Sequence, residues 1–512
     1  MSQLQTNEDP QKNNRILDRL LSGIERIGNK LPDPFMIFIY LSIFIIALSW
    51  LVNSLGVTVE HPGTGEELDI KNLLSGEGIE FILTSMLSNF TGFTPLGLVL
   101  AMMLGIGLAE KVGLIEATIK KTILNAPKSI ITYAVVFTGI LGNLASDAAF
   151  VIIPPLAAMI FYTIGRHPLA GLAAGFAGVG AGFTANLFVA GTDALLSGIA
   201  TEAIRPFDDT LIVTPVDNYY FMATSVFILT IIGALITDKI VEPRLGKYQG
   251  KVEKVIEKSH PKEKKGLINA SIAGAVYLIL LVVAIFWPES VLRNEDGGLV
   301  PSLFLTAIVP ITLFFFIVVG VTYGVTVGKI KATADVPKLM TESIKDMAGY
   351  IVLIFAAAQF IAYFNWSNLG IWVAVNGATF LENMNLTGIP GIIGFVLLTA
   401  VLNLIIFSGS AQWALMAPIF IPMFWMLDYH PAFIQAAFRI ADSSTNIITP
   451  LNPYIIVVLA FMKDYDKKAG LGTLISLMLP YSIIFLTVWT VLLLIFALTG
   501  IPFGPGIGMM IK

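Results

Sequence analysis

Asn143-Leu-Ala-Ser146-Asp147 and Asn403-Leu-Ile-Ile-Phe-Ser408-Gly409-Ser410 open two similar stretches of about fifty residues, 143–193 and 403–453. Pro154 follows Ser146 by eight residues, and Pro418 follows Ser410 by eight. An apolar run then ends at His167-Pro168 in one copy and at His430-Pro431 in the other. Each copy continues into a hydrophobic segment broken by polar, Gly and Pro residues: Thr184-Ala-Asn186 to Gly191-Thr192-Asp193, and Thr445-Asn446 to Thr449-Pro450-Leu-Asn452-Pro453. Paired, interrupted apolar segments in two halves of a chain point to the binding site of a secondary transporter.

The surrounding composition agrees. The chain has 512 residues, of which 56% are hydrophobic and 13% charged. Apolar runs of this number and length belong to a polytopic membrane protein. A net charge of −4 argues against a nucleic-acid partner. Without cysteine, disulfides, thiolate chemistry and cysteine-bound metals are excluded. His61, His167, His260 and His430 form no metal-ligand spacing, and nothing calls for a cofactor. The first thirty or so residues are polar and charged, which does not suit a cleavable signal peptide. Within the N-terminal segment 1–33, residues 13–31 space Ile16, Leu17, Leu20, Leu21, Ile24 and Ile27 as an amphipathic helix for an anionic inner leaflet, or as a solvated lead-in.

Loop charges orient the spans. Lys12, Arg15, Arg19, Arg26 and Lys30 place the N-terminus inside, and a first span covers 34–55. An acidic loop follows, then a span over 80–110 interrupted near Gly92 and Pro95, then a basic loop with Lys111, Lys120, Lys121 and Lys128. The stretch 129–164 reads either as one long helix or as two arms meeting at 142–147. Parity decides. The broken helix 169–200 must end at the acidic loop of Glu202, Asp208, Asp209 and Asp217, so 129–164 must return to the side it left. The span 219–238 closes the first half (34–238) and leads to the basic loop 239–266, which is firmly cytoplasmic. In the second half, 267–512, spans are expected at 267–287, 300–325, 347–364 and 472–498, with 367–384 a surface connection. The same parity makes 389–427 a hairpin entering from outside, followed by the broken helix 431–460 and, at the end, an outside C-terminus. The fold class expected is an all-α polytopic membrane protein with nine transmembrane helices plus two re-entrant helical hairpins in an inverted-topology repeat.

Broken backbone at membrane depth survives only where protein or a water-filled cavity covers it. The two tips bring small side-chain oxygens and free carbonyls together, which suits a hard cation such as sodium. Asn143, Ser146 and Asp147 form one candidate cation site; Asn403, Ser408 and Ser410, facing Ser443–Thr449 with Asp442 and Asn446, form the second. The competing reading is that these residues only cap and pack the hairpin arms. Asp147, Asp193, Arg439 and Asp442 are ionisable residues inside expected spans or hairpins. Each costs roughly 2.5–3.5 kcal/mol at a helix centre, so each is a functional candidate. Arg439 and Asp442 share a helical face; either they pair with each other, or Arg439 receives a substrate carboxylate while Asp442 binds a cation or proton. Trp413, just past the second tip, is placed to stack on an aromatic substrate.

These residues carry a resemblance. Asn403, Ser410-Ala-Gln-Trp413, His430-Pro431, Arg439-Ile-Ala-Asp442-Ser-Ser-Thr-Asn446 and Pro450-Leu-Asn-Pro453 resemble the p-aminobenzoyl-glutamate transporter (AbgT) family, as do Gly142–Asp147 and Ala190–Asp193. The tips also look like those of the more distant sodium-coupled dicarboxylate transporters. The resemblance implies a homodimer in the cell membrane, each protomer with scaffold and transport parts. It implies substrates of the p-aminobenzoyl-glutamate type and, for some members, proton-driven export of sulfonamide antimetabolites. Carried onto this chain, the family's functional positions are Asp193, Asn403, Ser410, Trp413, Pro431, Arg439, Asp442 and Pro450.

Transport of a folate-type aromatic carboxylate, coupled to sodium or protons, is the expected function. An intramembrane enzyme would need HExxH, GxGD or a Ser–Lys pair in one site, and none occurs. A passive channel fits the strongly broken helices less well than alternating access does.

Overall fold

The computed structural model describes residues 32–62, 64–145, 147–250 and 261–511, without the side chains of Ala145 and Asp147. The amphipathic segment 13–31, Ser146 and the centre of the basic loop lie outside the described residues.

Helices dominate. In chain order they are α1 (Pro34–Ser54), α2 (Gly76–Thr91), α3 (Thr94–Lys111), α4 (Leu114–Leu124), α5 (Ile131–Leu141), α6 (Asp147–Thr163), α7 (Pro168–Ala181), α8 (Gly191–Ile204) and α9 (Tyr219–Ile236). The second half contains α10 (Pro261–Phe286), α11 (Ile308–Val327), α12 (Asp335–Asp346), α13 (Ala348–Trp366), α14 (Leu369–Asn383), α15 (Ile389–Asn403), α16 (Gly409–Trp425), α17 (Pro431–Thr445), α18 (Tyr454–Lys463) and α19 (Leu471–Thr499). Among the described residues, seven helical segments are long and apolar enough to cross a membrane, or eight if a pair bent by 108° near 124–128 is one span. The break between α2 and α3 falls at Gly92-Phe93, as the sequence indicates.

Two features depart from expectation. The basic loop after α3 contains the helix α4, which meets α5 at that 108° bend. The chain is also not purely helical, because Thr58–Glu60 pairs antiparallel with Glu67–Asp69, Val59 opposite Leu68.

The doubled His-Pro is a helix-starting device. His167 Nδ1 accepts from Leu169 N at 3.2 Å, and His430 Nδ1 accepts from Ala432 N at 3.1 Å. Each proline then occupies the first helical position, where a missing N–H costs nothing.

Packing defines the hairpins. A Cβ on Gly178 of α7 would stand 2.8 Å from the Val136 carbonyl oxygen, and one on Gly182 would stand 2.6 Å from Ile140 Cγ1, so α5 runs parallel to α7. On the other side, a Cβ on Gly171 would stand 2.4 Å from the Ala157 carbonyl oxygen, and one on Gly175 would stand 3.1 Å from Pro154 Cα, so α6 runs antiparallel to α7. α5 and α6 are therefore two arms that turn at Gly142–Ala145, with a small-residue helix between them. The second copy repeats this. Tyr429 bonds Thr387 at one end and Asn403 bonds Asp442 at the other, which sets α15 parallel to α17. Gly409 meets Asp442, and Trp413 meets Phe438, so α16 is antiparallel to α17.

The two short central helices meet where they stop. Thr184 Oγ1 lies 2.7 Å from Ser443 Oγ, and a Cβ on Gly180 would touch Ile447, so α7 and α17 approach antiparallel, end against end. The connections sort into two sets. On one side, the 55–75 hairpin bonds residues 367 and 368, and the C-terminal tail bonds Phe221 and His430. On the other, Arg166 is ion-paired with Asp238 and Glu242 beside α9. Arg244 reaches Ser476 there at 3.3 Å.

Two outcomes are expected. Gly178→Ala should lower stability by about 1–3 kcal/mol by overpacking α7 against α5. Gly349→Ala, whose methyl would meet nothing within 4 Å, should leave stability unchanged or slightly raised in the same thermal-unfolding assay. For His430, burial pushes the imidazole from 6.5 down to about 4. Between those values the unfolded chain takes up a proton that the folded cap excludes, so stability present above 6.5 is lost as pH falls toward 4. His430→Asn, which caps without titrating, should flatten that acid slope in unfolding curves taken across the window.

Candidate functional site

A cavity of about 350 Å³ lies where the two hairpin tips and the two helix breaks converge. Asn143 and Leu144 reach it from the first tip, and Ser408, Gly409 and Ser410 from the second. Thr184, Gly191 and Thr192 come from the first break, Asp442 and Asn446 from the end of α17. Phe150 and Tyr454, stacked at 4.4 Å and 3°, supply an aromatic wall.

The tip asparagines do the same work in both copies. Asn143 Nδ2 donates to the Phe183 carbonyl at 2.5 Å and to Asn186 Oδ1, tying the first tip to the break after α7. Asn403 Nδ2 donates to the Asp442 carbonyl at 2.7 Å and to Thr445 Oγ1 at 2.8 Å, tying the second tip to the end of α17. In both, the amide oxygen is buried and accepts nothing. Asp442 Oδ1 is also buried without a partner, and the carboxylate sits against the N-terminal residue of α16, where a Cβ on Gly409 would lie 2.8 Å away. Ser408 caps that helix end and lies 3.1 Å from Ser410 Oγ. Three orphan acceptors beside few donors are costly unless a cation, a water or a proton on Asp442 completes them. Of the candidate cation residues whose side chains the structure describes, Asn143, Ser408, Ser410, Asp442 and Asn446 line the cavity, and Asn403 does not. Ser146 and the Asp147 side chain lie outside the described residues.

Arg439 and Trp413 stand behind the cavity wall. Arg439 is ion-paired with Asp193, not with Asp442. Three residues apart on one helix, Arg439 and Asp442 face the same way, but Asp193 meets the guanidinium head-on from α8. Both partners are buried, Arg439 at 1% and Asp193 at 4% exposure. The second Asp193 oxygen accepts from Asn186 Nδ2 at 2.9 Å and from Ala190 N at 2.7 Å, closing the N-terminus of α8. Trp413 is fully buried, donates to the Leu196 carbonyl at 2.9 Å and lies 4.6 Å from the Phe438 ring. Pro431 starts α17, and Pro450 lies in the break before α18.

Asn186 is the residue that sequence reasoning passed over. It stands in the quoted motif, yet only the fold shows that it joins Asn143 to Asp193 and so links the first tip to Arg439. Arg439→Met should cost about 3–5 kcal/mol by stranding a buried carboxylate, and adding Asp193→Asn should return much of it. Thermal unfolding of the single and double variants measures this coupling.

Comparisons with known proteins agree with this architecture. Residues 19–511 match the model of the AbgT putative transporter family. The p-aminobenzoyl-glutamate transport protein of Escherichia coli (strain K12) is 46% identical over 490 residues, 96% of each chain. The Alcanivorax borkumensis YdaH transporter superimposes with a TM-score of 0.89 at 38% identity, over 93% of this chain and all of that one. Neisseria gonorrhoeae MtrF, described among antimetabolite efflux pumps, superimposes with a TM-score of 0.90 at 42% identity, over 95% of this chain and all of that one. The interrupted, paired hairpins and the central cavity are thus those of a membrane transporter and not an enzyme, and the chain belongs to the AbgT family.

Proposed function

We propose that this protein is a secondary active transporter of p-aminobenzoyl-glutamate or related folate-type aromatic carboxylates, coupled to sodium. The observation that carries the reading is the cavity between the two tips, lined by Asn143 and Asp442, each of which keeps an unpartnered Oδ1. Amide oxygens bind a cation but do not take up a proton near neutral pH, which favours sodium. The E. coli relative's name supports the substrate class.

On this reading the seven long helices and the two broken ones, α7–α8 and α17–α18, make nine spans, with α5–α6 and α15–α16 as re-entrant hairpins. The antiparallel meeting of α7 and α17 supports an inverted repeat. The two sets of connections support a cytoplasmic N-terminus and an outside C-terminus: acidic residues gather beside the C-terminal tail, and basic ones on the Arg166 side. The protein would sit in the cell membrane as a homodimer. Asp442, Asn403, Asn446 and Ser408 would hold one ion, and Asn143 with Ser146 and Asp147 another. Ser410 would meet the substrate, while Trp413, Pro431 and Pro450 shape the wall behind it. Arg439 would exchange Asp193 for a substrate carboxylate.

A second reading is proton-driven export of sulfonamide antimetabolites, favoured by the 42% identity to MtrF. Proteoliposomes loaded with a sodium or a pH gradient, given labelled p-aminobenzoyl-glutamate or a sulfonamide, separate the two. Sodium-driven accumulation of the glutamate is expected. Flux that follows only the pH gradient would favour the second reading, and flux indifferent to both would remove coupling. Asp442→Asn should lower sodium-driven flux by about tenfold or more, equivalent to at least ~1.4 kcal/mol of lost binding or barrier stabilisation, while the protein still folds.

A further inference from the structure

A second cavity, about 490 Å³, lies between the α4–α5 bend and the α10–α11 pair. Its walls are mostly rings and aliphatic chains, with Phe137, Phe188, Phe315 and Phe316 the aromatic members and Thr118, Thr122, Thr138 and Ser271 the hydroxyl ones. A neighbouring cavity of about 460 Å³ shares Phe188, Leu278, Phe315 and Phe316 with this crevice. The crevice opens sideways. Leu278 is 50% exposed and Phe188 49%, and α10, which forms the outer wall, buries only 17% of its apolar window. Such a face belongs against lipid or against a second protomer.

Two observations make this more than a gap between helices. Leu144, on the first hairpin tip, lines both the crevice and the central cavity, so its side chain forms part of the partition between them. Thr138, on the crevice wall, keeps its hydroxyl buried at 4% exposure with no hydrogen-bond partner. A buried hydroxyl left unmatched is a cost that a visiting polar atom removes only if the wall over it parts, because the Thr138 oxygen is covered. Among the described residues that line the crevice and the neighbouring 460 Å³ cavity none is charged, while Lys121 lines another neighbouring cavity that shares Thr118, Thr122, Leu267 and Ser271 with the crevice. A dianion such as p-aminobenzoyl-glutamate would lose its hydration in the crevice without compensation. An uncharged ring bearing one or two polar groups would not.

We propose that this crevice is a bilayer-side antechamber for neutral aromatic amphiphiles, molecules of the unionised sulfonamide class, which reach the central cavity when Leu144 swings aside. This rests on the transport reading and adds a second point of entry to it. Leu144 follows Asn143 directly, so a cation completing Asn143 would also fix the backbone that carries the partition.

The absence of cysteine from the chain makes the test direct. Ser271→Cys places one thiol on the crevice wall, where a bilayer-soluble N-phenylmaleimide can reach it. Unionised sulfonamide should slow this labelling several-fold, and p-aminobenzoyl-glutamate should not. Ala275→Trp, which fills the crevice from α10, should reduce sulfonamide flux in proteoliposomes several-fold and leave p-aminobenzoyl-glutamate flux at the wild-type level. Leu144→Ala should raise sulfonamide flux. Labelling slowed by neither compound would mark the crevice as lipid packing and overturn the proposal, as would equal slowing by both or equal loss of both fluxes in Ala275→Trp. Labelling is a binding measurement that needs no gradient. Absent wild-type flux would therefore count against the transport reading alone, and unprotected labelling of the Ser271→Cys variant against the antechamber alone.

Discussion

α7 and α17 stop in the middle of this molecule, and α5 and α15 stop beside them. The peptide groups freed at these ends must find partners without water, because an unmatched one in an apolar surround costs several kcal/mol. One asparagine per copy does much of this. Asn143 donates into the break after α7, and Asn403 into the end of α17, so each tip is fastened to the helix it folds against. Thr184 and Ser443 then fasten the two breaks to each other. Of the acceptors left over, Asn143 Oδ1 belongs to a side chain that lines the cavity, and Asn403 Oδ1 to one that does not. At Asn143, what satisfies the backbone and what would bind an ion are therefore two ends of the same side chain.

That geometry also requires close approach. The tips can reach the breaks only because α7 lies flat between its two neighbours, and Gly171 and Gly178 hold it there by having no Cβ to separate backbones. Without a hydrophobic driving force between helices in lipid, such contacts and the buried hydrogen bonds hold the bundle together. The N-terminal ends of α7 and α17 are fixed instead by His167-Pro168 and His430-Pro431, so each short helix is held at both ends.

Much of this was legible. The seven long helices follow from runs of apolar residues, and loop charge led to the expectation of paired arms over 129–164 and 389–427, where α5–α6 and α15–α16 lie. The tips were visible because Gly, Ser and Asn have no reason to cluster in an apolar run except to break it. What was not legible depends on which helices meet. Arg439 and Asp442 look like partners because spacing reports only neighbours on one helix; Asp193 is 246 positions away and reaches Arg439 only through the crossing of α8. Asn186 looked like one more polar residue in a break, and Leu144 like one more leucine. Helix α4 was hidden by its lysines, which read as loop although Ala117, Ile119 and Ile123 form a buried stripe between them.

The Asp193–Arg439 pair has an energetic consequence for the transport reading proposed above. A buried ion pair is worth little net, because desolvation of both groups offsets most of their attraction, whereas stranding either one is expensive. Arg439 therefore cannot wait unpaired for a substrate, and its Nε already lacks a partner. A substrate carboxylate that displaced Asp193 would leave that buried carboxylate without its cation, a cost of about 3–5 kcal/mol that the substrate's own binding must offset, with Asp193 held by its bonds from Asn186 and Ala190. Those bonds connect through Asn186 to Asn143 at the first tip. Substrate exchange at Arg439 and ion binding at Asn143 would then bias the same chain of side chains. Two ligands that bias one element in common are coupled by necessity. On this reading, coupling between ion and substrate needs no contact between them, only the shared Asn143–Asn186–Asp193–Arg439 path and two arrangements of α8 against α17.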